Sequence, residues 1–351
     1  MADVKTAKVI DTEKVVQDIL ASVERDRERE IVARRFGLFD RRETLEQIGE
    51  LLGITRERVR QLEKSVIARF KVSAEQGQLV HIKEVEEALS EQLKTMGGVA
   101  RTSDLSAKVT AENSKTDQSR VVFLASLCPN LSVIEEDDHF YQSVGLNSIR
   151  DAEAIKADVA KITEAIKKIG KPAPIADIAK EAGISDTHET EALASTSKGL
   201  ATLGGKWGLV KWPMVNPKNI RDKIYVILKA KGTHMHFNEI AEAIKNSDFK
   251  RKDVTTQAIH NELIKDKRFV LIGRGIYALK EWGYSKGTVA DVITQVLKEA
   301  GEPLHRDEIV RRVLKSRFVK ETTILLNLQG KPQFKRVAKA TYTLDESAIS
   351  Y

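Results

Sequence analysis

Beyond residue 78 the chain repeats itself in register. With Gly97, Gly170, Gly232 and Gly301 aligned, Leu93, Ile166, Leu228 and Leu297 stand four residues earlier. Asp104, Asp177, Glu239 and Glu308 stand seven residues later, and Leu105, Ile178, Ile240 and Ile309 eight later. A period of roughly 60 to 75 residues confines this part of the chain to tandem copies of one small module, each just large enough to fold independently. Within a copy the pattern predicts an amphipathic helix ended by its glycine, a short turn, and a second helix with an acid in its first turn. The positive end of the helix dipole favours an acid there, so that residue is expected to be structural.

Each copy then continues through another helical stretch and closes on a strand-like aromatic segment: HFYQSVGL, GKWGLVKWP, GIYALKEWGY and ATYTLDES. Trp207, Trp212 and Trp282 fall in these ribbon-like settings. Three helices followed by a β-ribbon make a winged helix, in which the ribbon covers the open side of a helix-turn-helix core. The last two copies resemble the HARE-HTH family, through THMHFNEIAEAI (233–244) and EPLHRDEIVRRV (302–313), followed by RFVLIGRGIYAL and QFKRVAKATYTL. That family occurs in the delta subunit of some bacterial RNA polymerases, in chromatin-associated proteins, and fused to DNA-modifying or restriction enzymes. The first two copies carry Arg101 and Pro174 where the later ones have His236 and His305, and are assigned by register.

Upstream of the repeats the chain reads GITRERVRQLE, Gly53 to Glu63. As a helix from Thr55, this puts Val59, Leu62 and Val66 on one stripe, the spacing of a buried face. Glu57, Arg60, Gln61 and Lys64 then lie on the other side with Arg56 and Arg58 on its shoulders, a face of forked donors and amides able to meet base edges and phosphates. Thr55 is the expected N-cap. TLEQIGELLG before it predicts a second short helix, opened by a Thr44–Gln47 capping box and ended by Gly53. Gly49 removes a side chain where the helices cross, and Ile48, Leu52, Ile54, Val59 and Leu62 supply the shared core. This is the helix-turn-helix pattern. A charged, solvated helix pair in a bundle is the competing reading.

Extended to RDREREIVARRFGLFDRRETLEQIGELLGITRERVRQLEKSVIARFK, Arg25 to Lys71, the segment resembles region 4 of the sigma-70 family, the part of a bacterial initiation factor that recognises the −35 promoter element. The resemblance is carried by REREIVARRFGL and TRERVRQLE. It implies promoter reading by Arg56, Glu57, Arg58, Arg60 and Gln61, and a backbone contact from Thr44. It also implies that the helix holding Ile31, Val32 and Phe36 helps form a surface for the flap of the RNA polymerase β subunit, although those residues would equally close a three-helix core.

Charge and composition narrow the partners. The chain of 351 residues has a net charge of +7. Residues 216–351 hold 26 Lys and Arg against 16 Asp and Glu, a balance of +10, whereas 78–150 hold 7 against 11, or −4. Phosphate or polymerase contacts are therefore expected from Lys250, Arg251, Lys252, Arg274, Arg311, Arg312, Lys335 and Arg336, with further cations at Lys265, Lys267, Arg268, Lys315, Arg317, Lys320 and Lys339. Cys128 is the single cysteine and reads as a small core residue, so an internal disulfide and a cysteine-based zinc site are excluded. His234 and His236 form an HxH pair to which His260 could be added as a metal ligand. The alignment of His236 with His305 points instead to packing or capping. The EEDD run at 135–138 reads as a solvated wing tip. No phosphate loop, nucleophile elbow or paired-carboxylate nuclease pattern is present, so no enzyme, metal or cofactor is expected. The start lacks the apolar core of a secretion signal and no apolar run approaches a membrane span, which places the chain in the cytoplasm.

The expected fold is mainly α with small β-wings, a helix-turn-helix domain followed by four tandem winged helices. The expected boundaries are 1–76, 77–149, 150–214, 215–283 and 284–351. The expected function is sequence-specific binding of double-stranded DNA in transcription, with RNA polymerase core as the protein partner. A polymerase accessory subunit and the targeting half of a DNA-modifying or restriction system are the rivals.

Overall fold

The computed structural model describes residues 9–249, 252–284 and 287–345. It is mainly helical with four small antiparallel sheets, and divides into two compact units, residues 1–211 and 212–351.

The first unit opens with α1 (Thr12–Ala21), α2 (Asp26–Phe36), α3 (Leu45–Leu52) and the long α4 (Arg56–Glu75). A winged helix follows: α5 (Ile82–Thr95), β1 (Val99–Arg101), α6 (Thr102–Val109), α7 (Lys115–Leu127), β2 (Leu131–Ile134) and β3 (Ser143–Leu146). The next copy comprises α8 (Ala152–Ile169), β4 (Ala173–Pro174), α9 (Ile175–Ala182), α10 (Thr187–Thr196), β5 (Leu200–Leu203) and β6 (Lys206–Leu209).

The second unit holds the other two copies. One runs through α11 (Ile220–Lys231), β7 (Met235–His236), α12 (Phe237–Lys245), α13 (Thr256–Lys265), β8 (Phe269–Gly273) and β9 (Ile276–Leu279). The last runs through α14 (Val289–Ala300), β10 (Leu304–His305), α15 (Arg306–Ser316), α16 (Glu321–Gly330), β11 (Phe334–Ala338) and β12 (Thr341–Leu344).

All four sheets share one topology, with the last strand in the centre: β1-β3-β2, β4-β6-β5, β7-β9-β8 and β10-β12-β11. The register positions are core positions. Leu93, Ile166, Leu228 and Leu297 are buried, as are Leu105, Ile178, Ile240 and Ile309. Gly170, Gly232 and Gly301 cap their helices in the left-handed conformation, as expected. Gly97 lies one residue beyond its helix cap, and a Cβ there would stand 2.8 Å from Ala192 Cβ and 2.9 Å from His188 O, so α10 seats directly on it.

The short strand ahead of each second helix departs from the expected turn. Two or three residues are too few to show a strand period, and pairing with the wing is what makes them strands. Of the tryptophans, Trp207 lies buried in β6, Trp212 in the turn that follows β6, and Trp282 in a 3₁₀ turn after β9.

One apolar core runs without a break from α1 to β3. Val16 and Ile19 of α1, Val32 of α2, and Val66, Phe70 and Ala74 of α4 join Leu89, Leu93, Phe123, Leu124 and Leu146. Phe123 is its hub, edge-on to Phe36 at 5.2 Å and to Phe70 at 6.3 Å. Cys128 is buried at the end of α7, and burial pushes its thiol pKa up.

The run Glu135–Asp138 does sit on the wing between β2 and β3, but its neighbours tie it to the next copy. Glu136 receives Lys198 Nζ at 2.7 Å, and Phe140 and Ser197 form a β-bridge. Arg101 stacks over Tyr141 at 4.0 Å and donates to Ser195 O. Between these copies, Arg150 pairs with Asp158 at 2.8 Å and Glu189 at 2.7 Å, which docks the linker.

In the second unit, Phe318 N–H donates to Ile272 O at 3.2 Å and Arg317 Nη1 to Leu271 O at 3.0 Å, closing the edge of β8. Among the described residues no helix is long and apolar enough to cross a membrane.

Candidate nucleic-acid interface

Two caps and two glycines build the helix-turn-helix. Thr44 Oγ1 accepts from Gln47 N–H at 3.3 Å while Thr44 N–H donates to Gln47 Oε1 at 2.9 Å, the reciprocal box that starts α3. Gly53 ends α3 at φ +63°, and Thr55 Oγ1 accepts from Arg58 N–H at 3.2 Å to start α4. Gly49 is needed by the turn itself, since a Cβ there would lie 2.8 Å from Ile54 O. Ile31, Ile48 and Val59 are buried together, with Leu45, Leu52, Ile54 and Leu62 packed against them. All five expected core residues are in that cluster. Val66 belongs with Phe70 and Ala74 in the larger core, so α4 closes the helix-turn-helix with one half and anchors it with the other. Buried Glu28 receives Arg25 at 3.3 Å and Arg69, bracing α2 against α4.

This packing turns the opposite face of α4 to solvent. Arg56, Glu57, Arg58, Gln61 and Lys64 are exposed, Arg60 is partly exposed, and Thr44 is exposed at the start of α3. The side chains are mutually paired. Arg60 is forked onto Glu57, Nε to Oε2 at 2.8 Å and Nη2 to Oε1 at 2.6 Å. Gln61 Nε2 donates to Glu57 Oε1 at 3.4 Å, and Gln61 Oε1 accepts from Arg58 Nη1 at 3.4 Å. Arg56 meets Glu46, which no sequence pattern singles out, at 2.8 Å. Hydrogen bonding from Arg60 holds the Glu57 carboxyl below its ordinary range, and the same contact raises the Arg60 guanidinium. Solvent-exposed pairs of this kind contribute little to stability, so a ligand can replace them.

Residues 25–71 match the family model for sigma-70, region 4. The exposed face of α4 therefore stands on a matched segment. A relative, the RNA polymerase sigma factor sigB of Arabidopsis thaliana, is 48% identical over 46 residues, which is 13% of this chain and 8% of that protein. The similarity thus concerns the helix-turn-helix and not the winged helices.

The residues expected at the polymerase flap have another use here. Ile31 and Val32 are fully buried, and Phe36 packs on Phe123 of α7. The core-closing alternative accounts for them.

The later cations divide. Arg268 is held by Asp266 at 2.7 Å and Asp222 at 3.1 Å, and the hydrogen bond it donates to Asp266 raises its pKa. Arg311 and Arg312 both pair with Glu308 at 2.6 Å, and their hydrogen bonds lower its carboxyl to about 2. Arg317 is buried, and desolvation lowers its pKa. Lys252 is exposed ahead of α13, Arg274 at the β8–β9 turn, and Lys335 and Arg336 on the edge strand β11. Lys250 and Arg251 lie outside the described residues.

His234, His236, His260 and His305 act as caps and ring contacts. His236 Nδ1 accepts from Asn238 N–H at 3.3 Å, and His305 Nδ1 from Asp307 N–H at 3.4 Å. His234 packs on Phe318 at 4.4 Å and His260 on Phe237 at 5.0 Å. Among the described residues no three or more His, Cys, Asp or Glu side chains gather as metal ligands.

The third helix of a winged helix is its usual groove-entering element. Here α7 is buried on most sides, from Arg120 to Ala125 and at Leu127. The sequences of α10, THETEALAST, and α16, ETTILLNLQG, contain neither lysine nor arginine, and α13 has only Lys265 at its end.

Proposed function

We propose that this chain is a non-enzymatic, cytoplasmic transcription protein that reads a promoter element in double-stranded DNA with α4 and acts with RNA polymerase core. Arg56, Arg60 and Gln61 enter the major groove, where Glu57 accepts from a base amine, and Arg58, Lys64 and Thr44 hold the backbone. The observation that carries this reading is the Arg56–Gln61 face, turned outward by buried Val59 and half-buried Leu62 within the region 4 match. The chain is read as five modules, 1–76, 77–149, 150–214, 215–283 and 284–351, the last two of HARE-HTH type.

Arg60→Ala tests the base-reading role. It is expected to weaken binding to a preferred duplex, selected from a random pool, by about 1 to 3 kcal/mol, and to relax preference at one position. An equal loss on random duplexes defeats the role.

For the winged helices a second reading is favoured by the covered α7 and by α10 and α16, which carry no lysine or arginine. These modules meet protein, and polymerase is the partner. Exposed cations such as Arg274, Lys335 and Arg336 of the wings, and Lys252, are open to phosphates. Capture of polymerase from lysate by residues 212–351 that persists after nuclease treatment supports protein contact, and capture abolished by nuclease refutes it.

A further inference from the structure

We propose that the cleft between the α2–α3 loop and the first winged helix is a second DNA contact, gripping sugar–phosphate backbone beside the element met by α4. The inference rests on the DNA-binding reading above and adds a surface to it. The cleft measures about 780 Å³ and opens to solvent. Arg41 and Arg42 stand on one wall and Lys115, the first residue of α7, on the other, all three exposed. Thr102, 4% exposed, also lines the cleft, and its hydroxyl has no hydrogen-bond partner in the protein. Asp40 and Glu136 contribute negative charge, and Glu136 is paired with Lys198.

The walls are held in place. Arg120 of α7 is buried and its Nε donates to Leu38 O at 2.7 Å, tying the loop after α2 to the winged helix. Within the loop Glu43 N–H donates to Arg34 O at 3.0 Å and its carboxylate receives Arg34 Nη1 at 2.9 Å.

Chain continuity selects DNA as the occupant. Arg42 is two residues from Thr44, the cap of α3, so the two positions are at most about 7 Å apart along the chain. A duplex lying against α3 and α4 therefore passes the mouth of the cleft, and its backbone supplies a row of anions to three cations on two walls.

The full chain carrying Arg41→Gln, Arg42→Gln and Lys115→Gln is to be compared with wild type by DNA titration across salt. Two duplexes are used, one trimmed to the preferred element and one extended by a helical turn on each side. Each phosphate contact adds about 0.9 to the slope of log affinity against log salt, so the triple variant is expected to lose about 2 to 3 from that slope on the extended duplex. Between about 50 and 200 mM salt, wild-type affinity then falls roughly 10- to 40-fold more than the variant's. On the trimmed duplex the two are expected to match. Asp40→Asn, which removes a negative charge from the wall, is expected to tighten binding to the extended duplex, and a merely structural role would not do that.

An unchanged slope on the extended duplex overturns the proposal, as does an equal defect on the trimmed one. Binding of inorganic phosphate that the triple variant abolishes, while both duplexes bind alike, also overturns it in favour of a small anion site. Arg60→Ala separates the two readings: base reading without the cleft leaves only that variant defective in sequence preference, whereas the cleft without base reading leaves only the triple variant with an altered salt slope.

Discussion

Replacing Phe123 by Ala removes the side chain on which two sequence-distant parts of the first unit meet. Phe123 is fully buried, with Phe36 of α2 at 5.2 Å and Phe70 of α4 at 6.3 Å, both edge-on. Truncation of a buried phenylalanine costs about 3 to 5 kcal/mol, and loss of two edge-on partners puts this site near the upper end. For a unit of this size each kcal/mol moves the melting point by about 2 to 4 °C, so a fall on the order of 10 °C is expected. The decisive assay is amide exchange followed by peptide alongside thermal unfolding. Because the core is continuous from Val16 to Leu146, exchange is expected to quicken together in α2, α4 and α7. A loss under about 1 kcal/mol, or quickening confined to residues 77–149 with α2 and α4 unaffected, refutes the shared-core reasoning and restores the helix-turn-helix as a separate body.

Gly49→Ala is expected to cost about 1 to 3 kcal/mol because its Cβ would press on Ile54 O, a backbone atom fixed by the turn. Gly53→Ala meets nothing within 4 Å and costs only the left-handed strain, about 1 to 2 kcal/mol; urea titration of the first unit ranks the two. In the second unit, hydrogen bonds from Arg311 and Arg312 depress the Glu308 carboxyl from 4.5 to about 2. A carboxyl lowered on folding stabilises above its unfolded value and loses that contribution as pH falls from 4.5 towards 2. Glu308→Gln is therefore expected to flatten the fall in melting temperature of residues 212–351 across that window, and an unchanged acid profile counts against the pairing.

Much of the helix-turn-helix was legible because its determinants are local. Thr44, Gln47, Gly53 and Thr55 act within four residues of themselves, and a 3.6-residue period names Val59 and Leu62 as inward. The repeat register was legible for a related reason, since a glycine stop and an apolar residue four positions earlier belong to one helix end. What escaped notice depends on distant partners. β1, β4, β7 and β10 are strands only because a wing pairs with them. Glu46 gains meaning only from Arg56, and Arg41, Arg42 and Lys115 become neighbours only once α7 packs on Phe36. One signal was available: α7 reads SRVVFLASL, apolar on every side, which marks a helix surrounded by protein. The pairing of the basic clusters is likewise a property of the fold, because composition counts Arg268, Arg311 and Arg312 without the carboxylates that face them.

Four copies of a shape associated with groove entry need not give four groove-entering helices. In the first copy the third helix is enclosed by α1, α2, α4, α5 and α6, and in the second it lies against β1 of its predecessor. A helix in such a position has exchanged its outward face for protein contacts and cannot approach base edges without unfolding its neighbours. In the last copy α16 is open, with Leu326 69% exposed, but it presents threonine, leucine and glutamine where phosphates call for cations. The α4 face differs on both counts, being exposed along Arg56 to Gln61 and dense in guanidinium and amide groups. Exposure and chemistry are the physical distinction that matters: grafting Arg56, Glu57, Arg58, Arg60 and Gln61 onto the outward positions of α16 would supply the missing chemistry, whereas no surface graft onto the Arg120–Leu127 stretch of α7 could, because that stretch is already the interior.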